Sequence, residues 1–179
     1  MADRQIYGNI WPKFFGGLTN SFTYKGFDAN LFFSFSYGNK IYNHNRFFGE
    51  GGGARDAARV IFASNVDRWQ QPGDVTDTPR PDGININNYK DGDSRWLKDG
   101  SFLRLKSLTF GYTLPKYITQ KVKIEGLRFF VIGTNLLTIT NYTGLDPESS
   151  VSSNQNEQGI DLGTPPQPRL NPVRVKCPA

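Results

Sequence analysis

The chain has 179 residues, and its mean hydropathy of -0.51, with no run of about 18 apolar residues, excludes a helical membrane protein. A formal charge of +5 is scattered without a dense basic run, so no nucleic-acid partner is expected. Cys177 is the only cysteine, which excludes an internal disulfide framework and a cysteine-cluster metal site, while 19 glycines and 11 prolines favour strands and turns over helices.

The opening Met1-Ala-Asp-Arg-Gln lacks the charged and then apolar pattern of an export signal. If the strands that follow sit in a membrane, the chain is therefore expected to be a piece of something longer. In the first of them Phe14, Leu18, Phe22 and Tyr24 share one parity, and Thr19, Ser21 and Thr23 the other. The next stretch repeats the pattern. Phe27, Ala29, Leu31, Phe33, Phe35 and Tyr37 oppose Asp28, Asn30, Ser34, Ser36 and Gly38, with Phe32 the one large exception. Period-two alternation predicts β-strands with one greasy and one wet face. Lys25-Gly26 between them is a two-residue connection of the kind that closes a tight antiparallel hairpin. Strands of about 11 residues with aromatic ends match a tilted crossing of a bilayer, whereas sandwich strands average about 5 to 6. A long hairpin in a soluble β protein remains the alternative.

Residues 39–100 are expected to form one long loop that carries Phe47, Phe48, Trp69, Tyr89 and Trp96. Loops beyond about 12 to 15 residues usually serve as lids or binding segments, or are disordered. These aromatic rings are candidates for stacking on a ligand or packing against a lid, and the competing expectation is that they only pack the loop against itself. Gly51 to Gly53 and the PGDVTDTPRPDG stretch supply turns, and residues 54–71 form a candidate helix with Ala58, Ile61, Phe62 and Val66 on one side. Asp91 and Asp93 faintly suggest a calcium loop, but Arg95 stands where the next oxygen ligand belongs, so a solvated acidic turn is favoured. His44 is the only histidine and has no marked nucleophile nearby, so no catalytic residue, metal or cofactor is assigned and the chain is not expected to be an enzyme.

A third strand, SFLRLKSLTFGYTL over residues 101–114, places Leu108, Phe110, Tyr112 and Leu114 on one face. Upstream the parity inverts, with Arg104 and Lys106 on the apolar parity and Leu103 and Leu105 on the polar one. One reading has the strand leave lipid near Ser107, with both cations projecting outward among lipid phosphates; the other has them on a solvated face. Pro115 ends this strand, Lys116 to Lys123 suggest a short helical turn, and GLRFFVIGTNLLTIT over 126–140 forms a fourth strand with poor alternation. Connections thus alternate between short and long, as in bacterial outer-membrane barrels.

The strings PKFFGGLTNSFTYKGFDANLFFSFSYGNKIYN, DGSFLRLKSLTFGYTLP, LRFFVIGTNLLTITNYTGLDPE and GTPPQPR occur in this order. Together they resemble the C-terminal part of the SusC/RagA family of TonB-dependent outer-membrane transporters of Bacteroidetes, over residues 8–169. The resemblance implies an all-β fold: antiparallel strands of an incomplete transmembrane β-barrel, with residues 39–100 as a long extracellular loop. Complete family barrels have about 22 strands and a plugged lumen. The resemblance further implies uptake of oligosaccharides or peptides, a SusD-like surface lipoprotein as lid, the TonB complex as motor, and outer-membrane lipid against the apolar face. The residues expected to face lipid are Phe14, Leu18, Phe22, Tyr24, Phe27, Leu31, Phe33, Phe35, Tyr37, Leu108, Phe110 and Tyr112. A soluble carbohydrate-binding β-sheet module is the alternative function. Family members continue past the PQPR segment into an amphipathic closing strand with an aromatic end. Residues 170–179, LNPVRVKCPA, do not, so this tail is read as a poor closing strand and as the mark of a frameshift or a misjoined fragment near residue 170.

Overall fold

In the computed structural model, which describes residues 5–50, 62–78, 94–148, 150, 158–170 and 172–176, strands β1 (Phe14–Tyr24) and β2 (Phe27–Tyr37) form the expected hairpin. The turn between them holds both Lys25 (φ 46) and Gly26 (φ 86) in the left-handed region. That is the geometry whose twist matches the flanking strands. Strand β3 (Lys40–Asn43) leads into helix α1 (His44–Glu50), and β4 (Leu97–Asp99) precedes β5 (Phe102–Thr113). After β5 come helix α2 (Lys116–Thr119), β6 (Arg128–Thr140), β7 (Ile160–Asp161) and β8 (Val173–Lys176).

One unit of the chain is a five-stranded sheet in the order β1-β2-β5-β6-β8, antiparallel throughout. Its register explains the parity inversion in β5. Leu105 pairs with Phe33 and Ser107 with Phe32, so Lys106 is an extra residue, a β-bulge, relative to β2. A bulge resets which face the following side chains take. Leu103 and Leu105 therefore rejoin the apolar face with Leu108, Phe110 and Tyr112, and Arg104 turns to the polar face. The expectation that Arg104 projects outward among lipid phosphates is overturned: it is 3% exposed, and its Nε donates to Thr138 Oγ1 at 3.0 Å.

The poor alternation of β6 has a related cause. Across from the bulge, Thr134 pairs with Ser107 and Leu137 with Leu105, which leaves Asn135 and Leu136 between the paired positions. Asn135 takes φ 51, and its side-chain amide donates to Pro168 O at 3.0 Å. The tail also contributes more than expected, since β8 pairs with Val131 to Arg128 of β6. Pro172 does not block this, because it serves the ladder as an acceptor, taking the Ile132 N–H on its carbonyl at 3.1 Å.

The second unit gathers segments that are distant in sequence. Its sheet has the order β4-β3-β7, with β4 antiparallel and β7 parallel to β3. Tyr42 N donates to Gly159 O at 2.7 Å, and Gly100 N to Asn39 O at 2.9 Å. Residues 39–100 thus carry strands and a capped helix of their own. Asn43 supplies the cap of α1, its Oδ1 accepting the Arg46 N–H at 2.9 Å. Of the candidate helix over 54–71, residues 54–61 lie outside the described residues; the rest includes a 3-10 turn, Ala63–Asp67, in which Asn65 is buried and Val66 is exposed. Tyr89, Asp91, Asp93, Gly51 to Gly53 and Cys177 also lie outside the described residues.

Candidate functional site

The register of the five-stranded sheet brings the residues expected to face lipid onto one face. Phe14 stands opposite Tyr37, Leu18 opposite Phe33 and Tyr24 opposite Phe27 in β1 and β2. Phe27, Ala29 and Leu31 of β2 in turn oppose Tyr112, Phe110 and Leu108 of β5. Phe14, Leu18, Phe22, Tyr24, Phe27, Tyr37 and Phe110 are 45% to 68% exposed. Leu31, Phe33, Phe35, Leu108 and Tyr112 are half-buried. Rings cluster at both ends of the strands: Phe14 stacks on Tyr37 with centroids 4.9 Å apart, and Phe27 meets Tyr112 at 4.3 Å. The same face holds further apolar residues whose place simple alternation does not reveal. Leu103 and Leu105 were hidden by the bulge; Phe129, Val131, Leu137 and Ile139 were hidden by the weak alternation of β6.

The opposite face carries the polar side chains, interspersed with Phe15, Phe32, Phe102, Phe130 and Ile132. Asn30 Nδ2 donates to Ser21 Oγ at 2.7 Å, and Arg128 pairs with Asp28 at 2.5 Å. The ion pair passes directly over Gly111, where an added Cβ would lie 2.8 Å from Asp28 Oδ1 and 2.9 Å from an Arg128 nitrogen. Glycine at this position is what leaves room for the two charged ends to meet. Phe32, the exception in the β2 pattern, covers Gly17, where a Cβ would come within 2.7 Å of its ring. Here too a missing side chain accommodates a neighbour. The sheet therefore separates an exposed apolar surface from a surface carrying hydroxyls, amides and paired charges.

In the other unit, Phe47 and Trp96 are 4% and 1% exposed and form its apolar core, with Tyr42 and Phe48 packed against them. His44 stacks on Phe48 with centroids 4.5 Å apart. Two of the expected ligand-contact rings, Phe47 and Trp96, thus have their faces covered by this chain. Trp69 is half-buried, and its backbone N–H donates to Thr78 O at 2.8 Å. Beside the core lies a polar cavity of about 550 Å³, lined among others by Arg46, Glu50, Asp77, Arg95 and Lys98. Arg46 and Glu50 are ion-paired at 2.5 Å.

A buried polar cluster fastens β7 to the residues that follow β6. Tyr142 Oη donates to Asp161 Oδ2 at 2.6 Å, and Asp161 Oδ1 accepts the Gly163 N–H at 2.9 Å. Burial, and then the bonded carboxylate of Asp161, push the Tyr142 hydroxyl well above its ordinary pKa, so it stays neutral and donating. Nothing in the sequence spacing marked this pair, whose members lie 19 residues apart. Among the described residues no group of three or more His, Cys, Asp or Glu side chains is placed to hold a metal ion.

No family model matches the chain. It is 39% identical to TonB-dependent receptor P3 of Formosa agariphila over 94% of its own length and 16% of that protein, and 31% identical to TonB-dependent receptor P39 of the same organism over 89% and 15%. The chain thus spans about one sixth of the length of these relatives, which are named receptors rather than enzymes. Among solved structures it resembles the RagAB peptide importer in the closed-closed state, with a TM-score of 0.74 and 25% identity over 96% of this chain and 18% of that one. A further structure of the RagAB peptide transporter gives a TM-score of 0.76 and 26% identity over 95% and 17%. The strand order, the two-faced sheet and these likenesses agree: the chain belongs to the TonB-dependent receptors of the SusC/RagA type and is a segment of their β-barrel.

Proposed function

We propose that this chain forms part of the wall and outer loops of a TonB-dependent importer in the bacterial outer membrane. The apolar face of the five-stranded sheet contacts lipid, and the polar face lines the lumen. The observation that carries this reading is the exposed apolar surface itself, with aromatic rings at both strand ends. Soluble monomers rarely leave a contiguous apolar face of this kind exposed to water. Against lipid it matches the outward apolar band and aromatic girdles of a barrel. The open edge of β1 fits the same reading, because strands in lipid need partners for every backbone group and would find them elsewhere in a complete barrel.

The cargo is a peptide or an oligosaccharide, and the naming of the RagAB neighbours as peptide importers weighs toward peptides. Residues 39–100 form the extracellular region, where a SusD-like surface lipoprotein would seat as a lid. Trp69 is the ring offered to cargo or lid, while Phe47, Phe48 and Trp96 hold the region in shape. Energy comes from the TonB complex acting on parts of the receptor beyond this segment.

Uptake of fluorescent oligopeptides and oligosaccharides by cells with and without the receptor gene, and with and without TonB, tests the proposal. Loss of uptake of one cargo class in both deletions is expected. Uptake that survives either deletion would refute it.

A further inference from the structure

The connection between β5 and β6 has a chemical character of its own. Pro115 starts helix α2, which runs on into a 3-10 turn, Gln120–Val122. Thr119 pins the inner side of this turn: it is 1% exposed, its Oγ1 donates to Lys116 O at 3.2 Å, and its carbonyl accepts the Ile124 N–H at 3.0 Å. With Thr119 inside, Tyr117 and Ile118 are left outside, 66% and 38% exposed although both are largely apolar. Lys116, Lys121 and Lys123 stand exposed around them. The β1–β2 turn lies alongside, joined by the Thr113 N–H to Gly26 O bond at 2.8 Å, and adds exposed Lys25. The two turns together carry four lysines against one acidic residue, Glu125.

We propose that this turn is a bilayer-surface anchor that binds anionic phospholipid headgroups. The inference rests on the lipid-facing reading of the sheet. The aromatic row formed by Tyr24, Phe27 and Tyr112 lies at the same strand ends, and such rows mark the headgroup level in barrels. A short segment that presents a tyrosine ring and an isoleucine beside several lysines, just beyond that row, has the composition of an interfacial contact. Lysines on flexible stems suit a fluid layer of phosphates, whereas a fixed carboxylate would be gripped better by the planar fork of arginine, and the turn has none. Charge complementarity selects phosphatidylglycerol-like lipid over zwitterionic lipid.

The test uses the full-length receptor in nanodiscs. A nitroxide at Tyr117→Cys reports depth at the turn, a nitroxide at Phe22→Cys reports depth on the sheet, and phosphatidylglycerol binding is titrated by native mass spectrometry. The Tyr117 site is expected at headgroup depth in discs containing phosphatidylglycerol. Replacing Lys116, Lys121 and Lys123 by Gln should weaken phosphatidylglycerol binding about fivefold per lysine and leave phosphatidylcholine binding unchanged. A Tyr117 site in bulk water while Phe22 lies in lipid overturns the anchor and leaves the barrel reading standing. Lysine variants that bind phosphatidylglycerol as tightly as the parent also overturn it. A Phe22 site in water overturns the barrel reading itself.

Discussion

An arginine placed at Leu18 should cost far more than one placed at Tyr24, although both positions are exposed on the same face. Leu18 is near the middle of β1 and opposite Phe33, whereas Tyr24 ends the strand. Six residues at about 3.4 Å each separate them by about 20 Å along the strand, or about 16 Å along the membrane normal at a tilt near 40°. The apolar band of a barrel is about 25 Å tall, so if Leu18 is near its middle, Tyr24 lies outside it. Leu18→Arg should then destabilise the folded barrel by about 2 to 4 kcal/mol, and Tyr24→Arg by no more than about 1. At 3 kcal/mol the folding equilibrium falls about 150-fold. Thr19→Arg, on the polar face next to Leu18, is the control and should cost little. The assay is denaturant titration of the full-length receptor in lipid vesicles, read by the heat-modifiable shift of the folded barrel on gels. Equal, small effects at Leu18 and Tyr24 would refute the membrane assignment, because in a water-exposed sheet an arginine at either position is harmless.

Three further outcomes follow from the packing. Gly111→Val should drive apart Asp28 and Arg128, and a double-mutant cycle between Asp28→Asn and Arg128→Gln should give a coupling below about 1 kcal/mol, since both side chains are partly exposed. Deleting Lys106 removes the bulge against β2 and restores unbroken alternation, so it should be tolerated better than deletion of Thr109, which flips the neighbouring side chains to the wrong faces; protease protection in vesicles checks this. The raised pKa of Tyr142 means that the unfolded chain loses its proton first, near the ordinary 10.0. Its contribution is therefore intact below that pH and is lost as pH rises above it, and Tyr142→Phe should remove this alkaline dependence from limited proteolysis while costing about 1 to 3 kcal/mol of local stability at neutral pH.

The first hairpin was legible because everything that specifies it is local. Alternation names the faces, Lys25-Gly26 names the turn, and matched strand lengths leave one register that keeps Phe22, Tyr24 and Phe27 on one side. In β5 the same rule misled for a definite reason. Parity counts residues, and a bulge adds one without adding a step to the ladder, so simple counting puts Arg104 on the apolar parity although it is buried on the polar face. The warning sign was present: two leucines on the wrong parity are a more expensive anomaly than one extra lysine. In β8, a proline cannot donate to the ladder, but at Pro172 only the carbonyl is needed.

The second unit was not legible because its order comes from pairings that no local pattern announces. Strand β3 has four residues, and its partners lie at Leu97–Asp99 and Ile160–Asp161. Two or three residues cannot show a period. What the composition did reveal was a supply of aromatic side chains, and there a general rule decides between ligand contact and core. A small unit with little surface to bury needs its largest apolar side chains for its own packing. Phe47 and Trp96 are used in that way, and under the proposed transport function the polar rim of Arg46, Glu50, Asp77 and Lys98 is the surface on which selection among solutes would act. Discrimination at such a rim rests on charge and hydrogen bonding, so among cargos of similar size this segment should distinguish charged peptides from neutral sugars more sharply than one sugar from another. Competition by charged and neutral oligopeptides in the uptake assay, repeated with Asp77→Asn and Lys98→Gln, measures that discrimination. Unchanged preference in both variants would show that selection lies elsewhere in the receptor.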